Sequence, residues 1–226
     1  MSVAAVIVTF NHRTLLEECL INIEALGDQL ENIIVVDNAS SDETESFMKQ
    51  KASKNPTIQY VRLSENIGGS GGFNKGIRAA YDLGSDYVWI MDDDSMVNEN
   101  SLSELLKAVD KVDNQFGFMA SNVRWIDGKP SKMNVPKTIT EWNDLADKGL
   151  IQINQGTFVS MLIKRECIAD VGLPIKEFFI WGDDTEYSLR ISKKYPSYFV
   201  SNSTVLHKMV ENIGVDLVKE TQRIPR

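Results

Sequence analysis

Short apolar runs alternate with amphipathic helical patterns through the first half of the chain. Four runs rich in β-branched and aromatic residues occupy residues 3–10, 33–36, 58–63 and 87–91. Between them apolar residues recur at helical spacing, as do Leu15, Leu16, Cys19, Leu20 and Ile23. Strands that are apolar throughout are typical of parallel sheets buried on both faces, in which a helix links each strand to the next. The pattern therefore predicts an α/β fold with a doubly wound, mostly parallel sheet and flanking helices.

The second half of the chain is less regular. We predict strands over residues 116–123 and 157–163, helices over 164–171 and 183–194, and a polar surface loop over 130–150 with a helical stretch around 142–147. No repeat, low-complexity tract or linker interrupts the sequence. We therefore expect one domain over residues 1–226, made of a regular half, 1–115, and a less regular half, 116–226.

The composition excludes one class of partner and indicates a compartment. A formal net charge of −8 argues against a surface that binds nucleic acid. Cys19 and Cys167 lie inside apolar helical patterns without metal-ligand spacing, so we expect buried free thiols in a reducing compartment. Residues 1–10 have neither the basic region nor the apolar length of a signal peptide or membrane span. We therefore expect a cytoplasmic protein.

Three consecutive carboxylates, Asp92, Asp93 and Asp94, follow directly on the apolar run 87–91. Aspartate is rarely buried without a partner, so three at the end of a buried strand indicate an external cation. Asp92 and Asp94 have the spacing to share one divalent ion, and that ion could hold a diphosphate. The alternative is an acidic turn that caps the next helix.

Polar residues also follow the other three predicted strands of the first half. In an open parallel sheet, ligands bind beyond the carboxyl ends of the strands. Asp37 follows four apolar residues and could bind a base edge or a ribose, or it could cap the helix that follows. The exits of the first and third strands supply Thr9, Asn11 and Asn66.

Five glycines lie between residues 66 and 76, between a predicted strand and a predicted helix. Such a loop lets backbone N–H groups approach a diphosphate or sugar at a helix N-terminus. It follows the third strand and not the first, so it is not the dinucleotide fingerprint, and no P-loop is present. A merely flexible connection is the alternative.

A second acidic pair, Asp183 and Asp184, follows the aromatic run that ends at Trp181. A carboxylate beside apolar rings can have a raised pKa and act as a general base. Alternatively, the pair complements the dipole of a helix that begins there. His207 follows an apolar pair, and a lone histidine in that position is more often structural than a ligand.

Taken together, these segments resemble family 2 glycosyltransferases of the GT-A fold. The resemblance rests on VIVTFN at 6–11, VVDNASSD at 35–42, NIGG at 66–69, WIMDDD at 89–94 and WGDDTEYSLR at 181–190. These motifs span nearly the whole chain in the order of the family.

The resemblance implies transfer of a sugar, with inversion, from a nucleotide diphosphate donor to an acceptor hydroxyl. Asp92 and Asp94 would bind Mn²⁺ or Mg²⁺, and His207 matches the distal metal histidine of the family. The regular half would bind the nucleotide. The residues implied there are Thr9, Asn11, Asp37, Arg62 and Asn66 for the nucleoside, and Gly68, Gly69 and Asp93 for the donor sugar and diphosphate.

The less regular half would bind the acceptor. The resemblance implies that Asp184 is the general base and that Trp181 and Asp183 orient the acceptor. The paired glycines and the WGDDTEY run are most similar to galactofuranosyltransferases that use UDP-galactofuranose, and rhamnosyltransferases that use dTDP-rhamnose are the alternative. The implied acceptor is a growing cell-surface glycan or a lipid-linked glycan, with Mn²⁺ or Mg²⁺ as cofactor.

Two other functions are consistent with parts of the pattern. A nucleotidyltransferase usually has a glycine-rich, basic loop after the first strand, and residues 10–13 contain no glycine. A catalytically silent module that binds nucleotide sugars would lack the acidic clusters, and both are present. Relatives continue beyond the position of His207 with a C-terminal helical segment, so we expect a truncated chain. Peripheral association with the inner face of the plasma membrane would then depend on the missing region.

Overall fold

The computed structural model describes residues 1–214. The first half alternates strands and helices as the sequence predicts, and its elements are β1 Val3–Thr9, α1 Arg13–Glu24, β2 Asn32–Asp37, α2 Thr44–Lys54, β3 Ile58–Arg62, α3 Gly68–Asp82 and β4 Tyr87–Asp92. Four of its apolar runs therefore form strands, because such runs can be buried on both faces of a sheet.

The second half contains short strands and three helices. Its elements are β5 Ser95–Val97, α4 Ser101–Lys111, β6 Phe118–Trp125, β7 Lys137–Thr138, β8 Leu150–Gln155, β9 Met161–Lys164, α5 Arg165–Val171, α6 Asp183–Ser192 and β10 Ser197–His207. Short 3₁₀ turns lie at Gly27–Gln29, Ala146–Lys148 and Lys176–Phe178. The loop predicted over 130–150 is mostly irregular, and its helical stretch is only the 3₁₀ turn at Ala146–Lys148.

One sheet runs through both halves, in the order β3-β2-β1-β4-β9-β6-β10-β8-β7, with β5 paired to β10. Strands β3, β2, β1 and β4 are mutually parallel, and β6 is parallel to β10. Strands β8 and β9 join antiparallel to their neighbours. The parallel centre confirms the predicted fold class, a mixed α/β fold with flanking helices.

Helices cover both faces of the sheet, as a doubly wound fold requires. On one face, α1, α2 and α4 pack against inward residues of the strands, including Ile7 and Trp89. On the other face, α3, α5 and α6 pack around Val6, Ile90 and Tyr187. Because strands β1 and β4 are buried on both faces, their exposed polar groups are confined to their ends.

The strand register sets the relative positions of the predicted site residues. Thr9 lies opposite Asp37, and Asp37 lies opposite Arg62. One residue back along β1, Val8 lies opposite Asp92. Parallel strands all present their carboxyl ends at one edge, so the predicted nucleotide and metal residues lie along that edge.

Strands β8 and β10 are missing from the sequence-based prediction. Their apolar pattern is weak because several small polar residues are buried within the sheet. Ser203 of β10 and Ser160 each share a hydrogen bond of 2.7 Å with Ser121 of β6. Mutually bonded hydroxyls can be buried at little cost, so polarity here does not mark a loop.

One smaller expectation concerns the cysteines. Cys19 and Cys167 are buried free thiols, as predicted. Among residues 1–214, no helix combines the length and the apolar character needed to span a membrane.

Candidate active site

A cavity of about 1090 Å³ opens between the central strand ends and the N-terminus of α6. Its size suits a nucleotide sugar or a similar ligand. Seven of the predicted site residues line it: Gly69, Asp92, Asp94, Trp181, Asp183, Asp184 and His207. The fold therefore brings the predicted metal residues and the predicted catalytic acidic pair into one space.

Three side chains form a candidate metal centre in this cavity. Asp92 ends β4, Asp94 follows two residues later, and His207 ends β10. One ligand atom from each lies within 4.8 Å of the others. The pairing of β5 with β10, in which His207 lies opposite Ser95, brings the histidine beside Asp94.

The chemistry of these donors fits a divalent cation. Burial raises the pKa of Asp92 well above its usual value, and the negative charges of Asp94 and Asp93 add to the rise. Asp94 Oδ1 is buried without a hydrogen-bond donor among residues 1–214, and His207 Nε2 lies 3.2 Å from it. Two carboxylates and an imidazole in this arrangement are suited to Mn²⁺ or Mg²⁺, which would offset their repulsion.

The chain after the acidic cluster forms strand β5, and the next helix, α4, begins only at Ser101. The cluster therefore does not cap a helix. Asp93 is not among the residues that line the cavity: it is 5% exposed, and its Oδ1 lies 3.2 Å from Nδ1 of His12. Burial raises the pKa of Asp93, and the contact with His12 opposes that rise. His12, to which the sequence assigns no role, thus helps to hold the loop of the cluster.

Asp37 lies outside the cavity and is fully buried at the end of β2. Its carboxylate accepts hydrogen bonds from the Ser40 N–H at 2.8 Å, the Tyr60 hydroxyl at 2.6 Å and Arg62 Nη1 at 2.7 Å. Arg62 also contacts Glu45 at 3.2 Å. Because α2 begins only at Thr44, Asp37 is not the cap of that helix. Its carboxylate instead fixes the conformation of the β2 exit.

Asn11 links the exits of β1 and β2. Its backbone has a positive φ of 56°, and its Oδ1 accepts the Ser41 N–H at 2.7 Å. Its own N–H donates to Ser40 Oγ at 2.9 Å. Thr9, the last residue of β1, is 1% exposed. The structure thus gives Asn11 a defined role in shaping this edge of the sheet.

The glycine-rich segment is helical, so the predicted loop is wrong: α3 begins at Gly68. The Gly68 N–H donates to Asn66 Oδ1 at 2.8 Å, and the Gly68 carbonyl accepts from Asn38 Nδ2 at 2.9 Å. Gly72 and Gly76 allow α3 to approach Val8 and Val6 closely. These glycines serve helix–sheet packing, which explains why they recur at helical spacing. Asn38, which directly follows Asp37 at the exit of β2, thus contacts the start of α3.

A short loop before α6 rests on the start of α3. The Ser70 N–H donates to the Phe179 carbonyl at 3.1 Å. Asn74 Nδ2 donates to the Pro174 carbonyl at 2.7 Å. Phe179 and Trp181 both have positive φ, of 61° and 70°. Non-glycine residues rarely adopt this conformation, and such strain is often found at functional sites.

The acidic pair begins helix α6, and both predicted interpretations fit its position. Asp183 and Asp184 lie in the first turn, where the helix dipole favours negative charge. Nevertheless, burial and the charge of Asp183 raise the pKa of Asp184 to about 6. The Thr185 N–H donates to Asp184 Oδ1 at 2.6 Å, which lowers that pKa and orients the carboxylate. Asp184 lines the cavity, so it can accept a proton near neutral pH.

The sequence pattern of Glycosyl transferase family 2 matches residues 4–166, which is more than half of the chain. The chain belongs to glycosyl transferase family 2. The matched region contains the exits of β1 to β4 and the acidic cluster, whereas Asp184 and His207 lie beyond it.

This family 2 chain is similar to curated proteins over most of its length. It is 27% identical over 201 residues to galactofuranosyltransferase GlfT1 of Mycobacterium tuberculosis, and the match covers 84% of this chain and 64% of the relative. It is 29% identical over 171 residues to poly-beta-1,6-N-acetyl-D-glucosamine synthase of Staphylococcus aureus, covering 72% of this chain and 39% of the relative. The chain thus spans less than two thirds of the length of these relatives. The predicted resemblance to galactofuranosyltransferases is confirmed.

Solved structures confirm the GT-A fold of this family 2 chain. GalNAc-T7 with UDP, GalNAc and Mn²⁺ matches with a TM-score of 0.76 and 16% identity, covering 94% of this chain and 44% of that one. Mannosyltransferase PcManGT from Pyrobaculum calidifontis with GDP-Man and Mn²⁺ matches with a TM-score of 0.67 and 20% identity, covering 90% and 56%.

Proposed function

We propose that this chain is an inverting, divalent-metal-dependent glycosyltransferase that transfers a sugar from a nucleotide diphosphate. The observation that carries the proposal is the cavity in which Asp92, Asp94 and His207 lie together with the acidic pair. The cavity thus holds ligands that suit a cation, together with a carboxylate whose pKa is about 6. Direct displacement at a sugar carbon needs both features and no covalent nucleophile.

The donor would lie along the edge of the parallel strands. Asp92, Asp94 and His207 would hold Mn²⁺ or Mg²⁺, which when bound neutralises the charge of the leaving diphosphate. The residues proposed to bind or shape the remaining donor site are Thr9, Asn11, Asp37, Arg62 and Asn66 for the nucleoside, and Gly68, Gly69 and Asp93 for the diphosphate and sugar. Asp37, Asn66, Gly68 and Asp93 would act through the packing and hydrogen bonds that fix the site. Residues 1–115 would thus form the nucleotide-binding half of one domain, and residues 116–226 the acceptor-binding half.

Asp184 would act as the general base. Its carboxylate takes the proton of the acceptor hydroxyl while that oxygen attacks the anomeric carbon. The new carbon–oxygen bond forms as the bond to the diphosphate breaks, so attack from the opposite face inverts the configuration. Trp181 and Asp183 would orient the acceptor, since both line the cavity beside Asp184.

We infer galactofuranose from UDP-galactofuranose as the transferred sugar, because the relatives named galactofuranosyltransferase match 84% of this chain. A dTDP-rhamnose donor is the alternative that the test below separates. The acceptor would be a growing cell-surface glycan or a lipid-linked glycan at the cytoplasmic face of the membrane. The acidic clusters disfavour a silent binding module, and the glycine-free exit of β1 disfavours a nucleotidyltransferase.

Thermal stabilisation by UDP, dTDP, GDP and ADP, each with and without Mn²⁺, tests the proposal. A ligand at about 100 times its Kd stabilises by about 2.7 kcal/mol. For a chain of this size, that stabilisation raises Tm by about 5–10 °C. We expect UDP to raise Tm only when Mn²⁺ is present, and we expect this shift to be lost in Asp94→Ala. The shift should persist in the control variant Asp110→Ala, which removes one negative charge from an exposed position of α4. A preference for dTDP would instead indicate rhamnose, and no shift with any nucleotide would contradict the proposed donor site.

A further inference from the structure

His207 makes a second contact, on the side of its ring opposite to Asp94. Its Nδ1 lies 2.8 Å from Oδ1 of Asn134, a residue of the irregular segment between β6 and β7. The histidine is 5% exposed, so water has little access to the ring. Asn134 also lines the cavity, yet no motif in the sequence points to it. The contact joins residues separated by 73 positions in the chain.

The side-chain amide of Asn134 also contacts two hydroxyl groups. Ser131 Oγ lies 2.7 Å from Asn134 Oδ1, and Asn134 Nδ2 donates to Thr157 Oγ1 at 3.0 Å. In this arrangement the amide oxygen, an acceptor, faces His207 Nδ1. The imidazole must therefore carry its proton on Nδ1 to donate to Asn134.

A neutral imidazole with its proton on Nδ1 has a free lone pair on Nε2. That nitrogen lies 3.2 Å from Asp94 Oδ1, so two electron-pair donors face each other at the candidate metal centre. We propose that Asn134 is the positioning residue of this centre: it fixes the tautomer and the ring orientation of His207 so that Nε2 can bind the divalent cation. The inference rests on the metal site of the proposed function, and it adds the residue that prepares the histidine before the cation arrives.

The position of the proton can be measured without any metal. Nitrogen-15 NMR of the metal-free protein, at a pH where His207 is neutral, distinguishes a protonated Nδ1 from a protonated Nε2. The chain has only two histidines, so the His12→Gln variant assigns both rings. We expect a proton on Nδ1 of His207 in the wild type and in Asn134→Asp, which retains the acceptor. We expect loss of that preference in Asn134→Leu, which has a similar volume and no acceptor.

Mn²⁺ affinity, measured by calorimetry without nucleotide, gives the second readout. Loss of the partner of a metal-binding histidine weakens metal affinity by about 10- to 100-fold, and we expect that loss in Asn134→Leu. Asn134→Asp should bind Mn²⁺ at least as tightly as the wild type, because a carboxylate is a stronger acceptor for the Nδ1 proton. Asn122→Leu makes the same change at a half-buried residue of β6, whose side-chain amide donates to the Ser201 carbonyl at 2.9 Å, and it controls for general effects on the sheet. Asn134→Val replaces Asn134→Leu if the latter does not fold.

The outcomes separate this inference from the proposed function. A proton on Nε2 in the wild type would overturn the role of Asn134. So would an Asn134→Leu variant that binds Mn²⁺ as tightly as the wild type. A wild-type protein with the proton on Nδ1 and no affinity for Mn²⁺ would overturn the metal site, and the role of Asn134 with it.

Discussion

The backbone of Phe179 occupies the space that a side chain on Gly68 would need. A Cβ atom on Gly68 would lie 2.0 Å from the Phe179 carbonyl oxygen, far inside van der Waals contact. Gly68 also has a φ of +78°, a conformation that L-residues with side chains seldom adopt. The loop that carries Trp181 toward the cavity is therefore seated on the first residue of α3. The start of α3 and the loop before α6 are therefore in direct contact.

Gly68→Ala should displace this loop and destabilise the protein. Overpacking and the positive φ together predict a loss of about 2–4 kcal/mol in the free energy of unfolding. Urea denaturation measures that loss, and transfer activity should fall with it because Trp181 moves. Gly69→Ala is the matched control for stability alone, since outside its chain neighbours and the backbone of its own helix no described atom lies within 4 Å of the added Cβ. There alanine should stabilise the helix by up to about 1 kcal/mol. Equal effects of the two substitutions would contradict the seating of the loop.

Asp184→Asn should abolish transfer while stabilising the fold. The pKa of Asp184 is raised from 3.8 to about 6 in the folded state, so folding favours its protonated form. That favourable contribution is complete below the unfolded pKa and is lost as the pH rises through about 6. A neutral asparagine avoids the loss. At about pH 8 the variant should gain about 1–2 kcal/mol in unfolding free energy, reduced for partial exposure.

The gain in Asp184→Asn should vanish below about pH 4, where the wild-type carboxylate is protonated in both states. Urea melts of both proteins at the two pH values make the comparison. A variant that is less stable than the wild type at about pH 8 would contradict the conclusion that burial of the ionised Asp184 carboxylate destabilises the fold.

The rate of transfer should rise with pH through about 6, because a general base must be ionised to accept a proton. The profile of kcat/KM at saturating Mn²⁺ tests this expectation. Protons also compete with the cation for Asp92, whose pKa is raised by burial and neighbouring charge. Repeating the profile at several-fold higher Mn²⁺ separates the two effects: an acid limb that moves with metal concentration would report Asp92 and not Asp184.

Tyr60→Phe should lower the free energy of unfolding, because it removes a hydrogen-bond donor to the fully buried carboxylate of Asp37 at the end of β2. A hydrogen bond to a charged group contributes about 1.5–3 kcal/mol to stability. Because Arg62 and Ser40 still donate to Asp37 in the variant, we expect a loss at the lower end of that range. Tyr195→Phe is the control: its hydroxyl donates to the exposed Asp170, where little stability is at stake. Urea denaturation compares the two, and similar losses would mean that Asp37 does not depend on Tyr60.

Much of the donor side could be predicted from the sequence, because its signals are local. Strands β1 to β4 are apolar throughout, and the polar residues at their exits lie at one edge whenever such strands are parallel. The exit residues Asp37 and Asp92 follow directly from that rule. The residues Thr14 to Glu17 and Ser40 to Glu43 have the spacing of a capping box, but neither Thr14 nor Ser40 caps a helix, since α1 begins at Arg13 and α2 at Thr44. Ser40 instead accepts a hydrogen bond from the Asn11 N–H, a contact across two strand exits.

What the sequence could not supply depends on contacts between distant residues. Strand β10 is concealed by serines that bond one another across the sheet, such as Ser203 and Ser121. The role of Gly68 depends on the backbone of Phe179, and that of Asn134 on the ring of His207. No periodicity or spacing in the sequence predicts such pairs, because the two residues of each pair are far apart in the chain and come into contact only in the folded structure.

The pairing of β10 with β5 has a consequence for the order of events during synthesis. Asp92 and Asp94 leave the ribosome long before His207, which reaches them only when the register of Ser95 with His207 has formed. A nascent chain that has already completed strands β1 to β4 therefore holds two closely spaced carboxylates without their imidazole partner. The complete set of candidate ligands first exists when the late strand joins the sheet, so affinity for the proposed cation would arise together with closure of the fold.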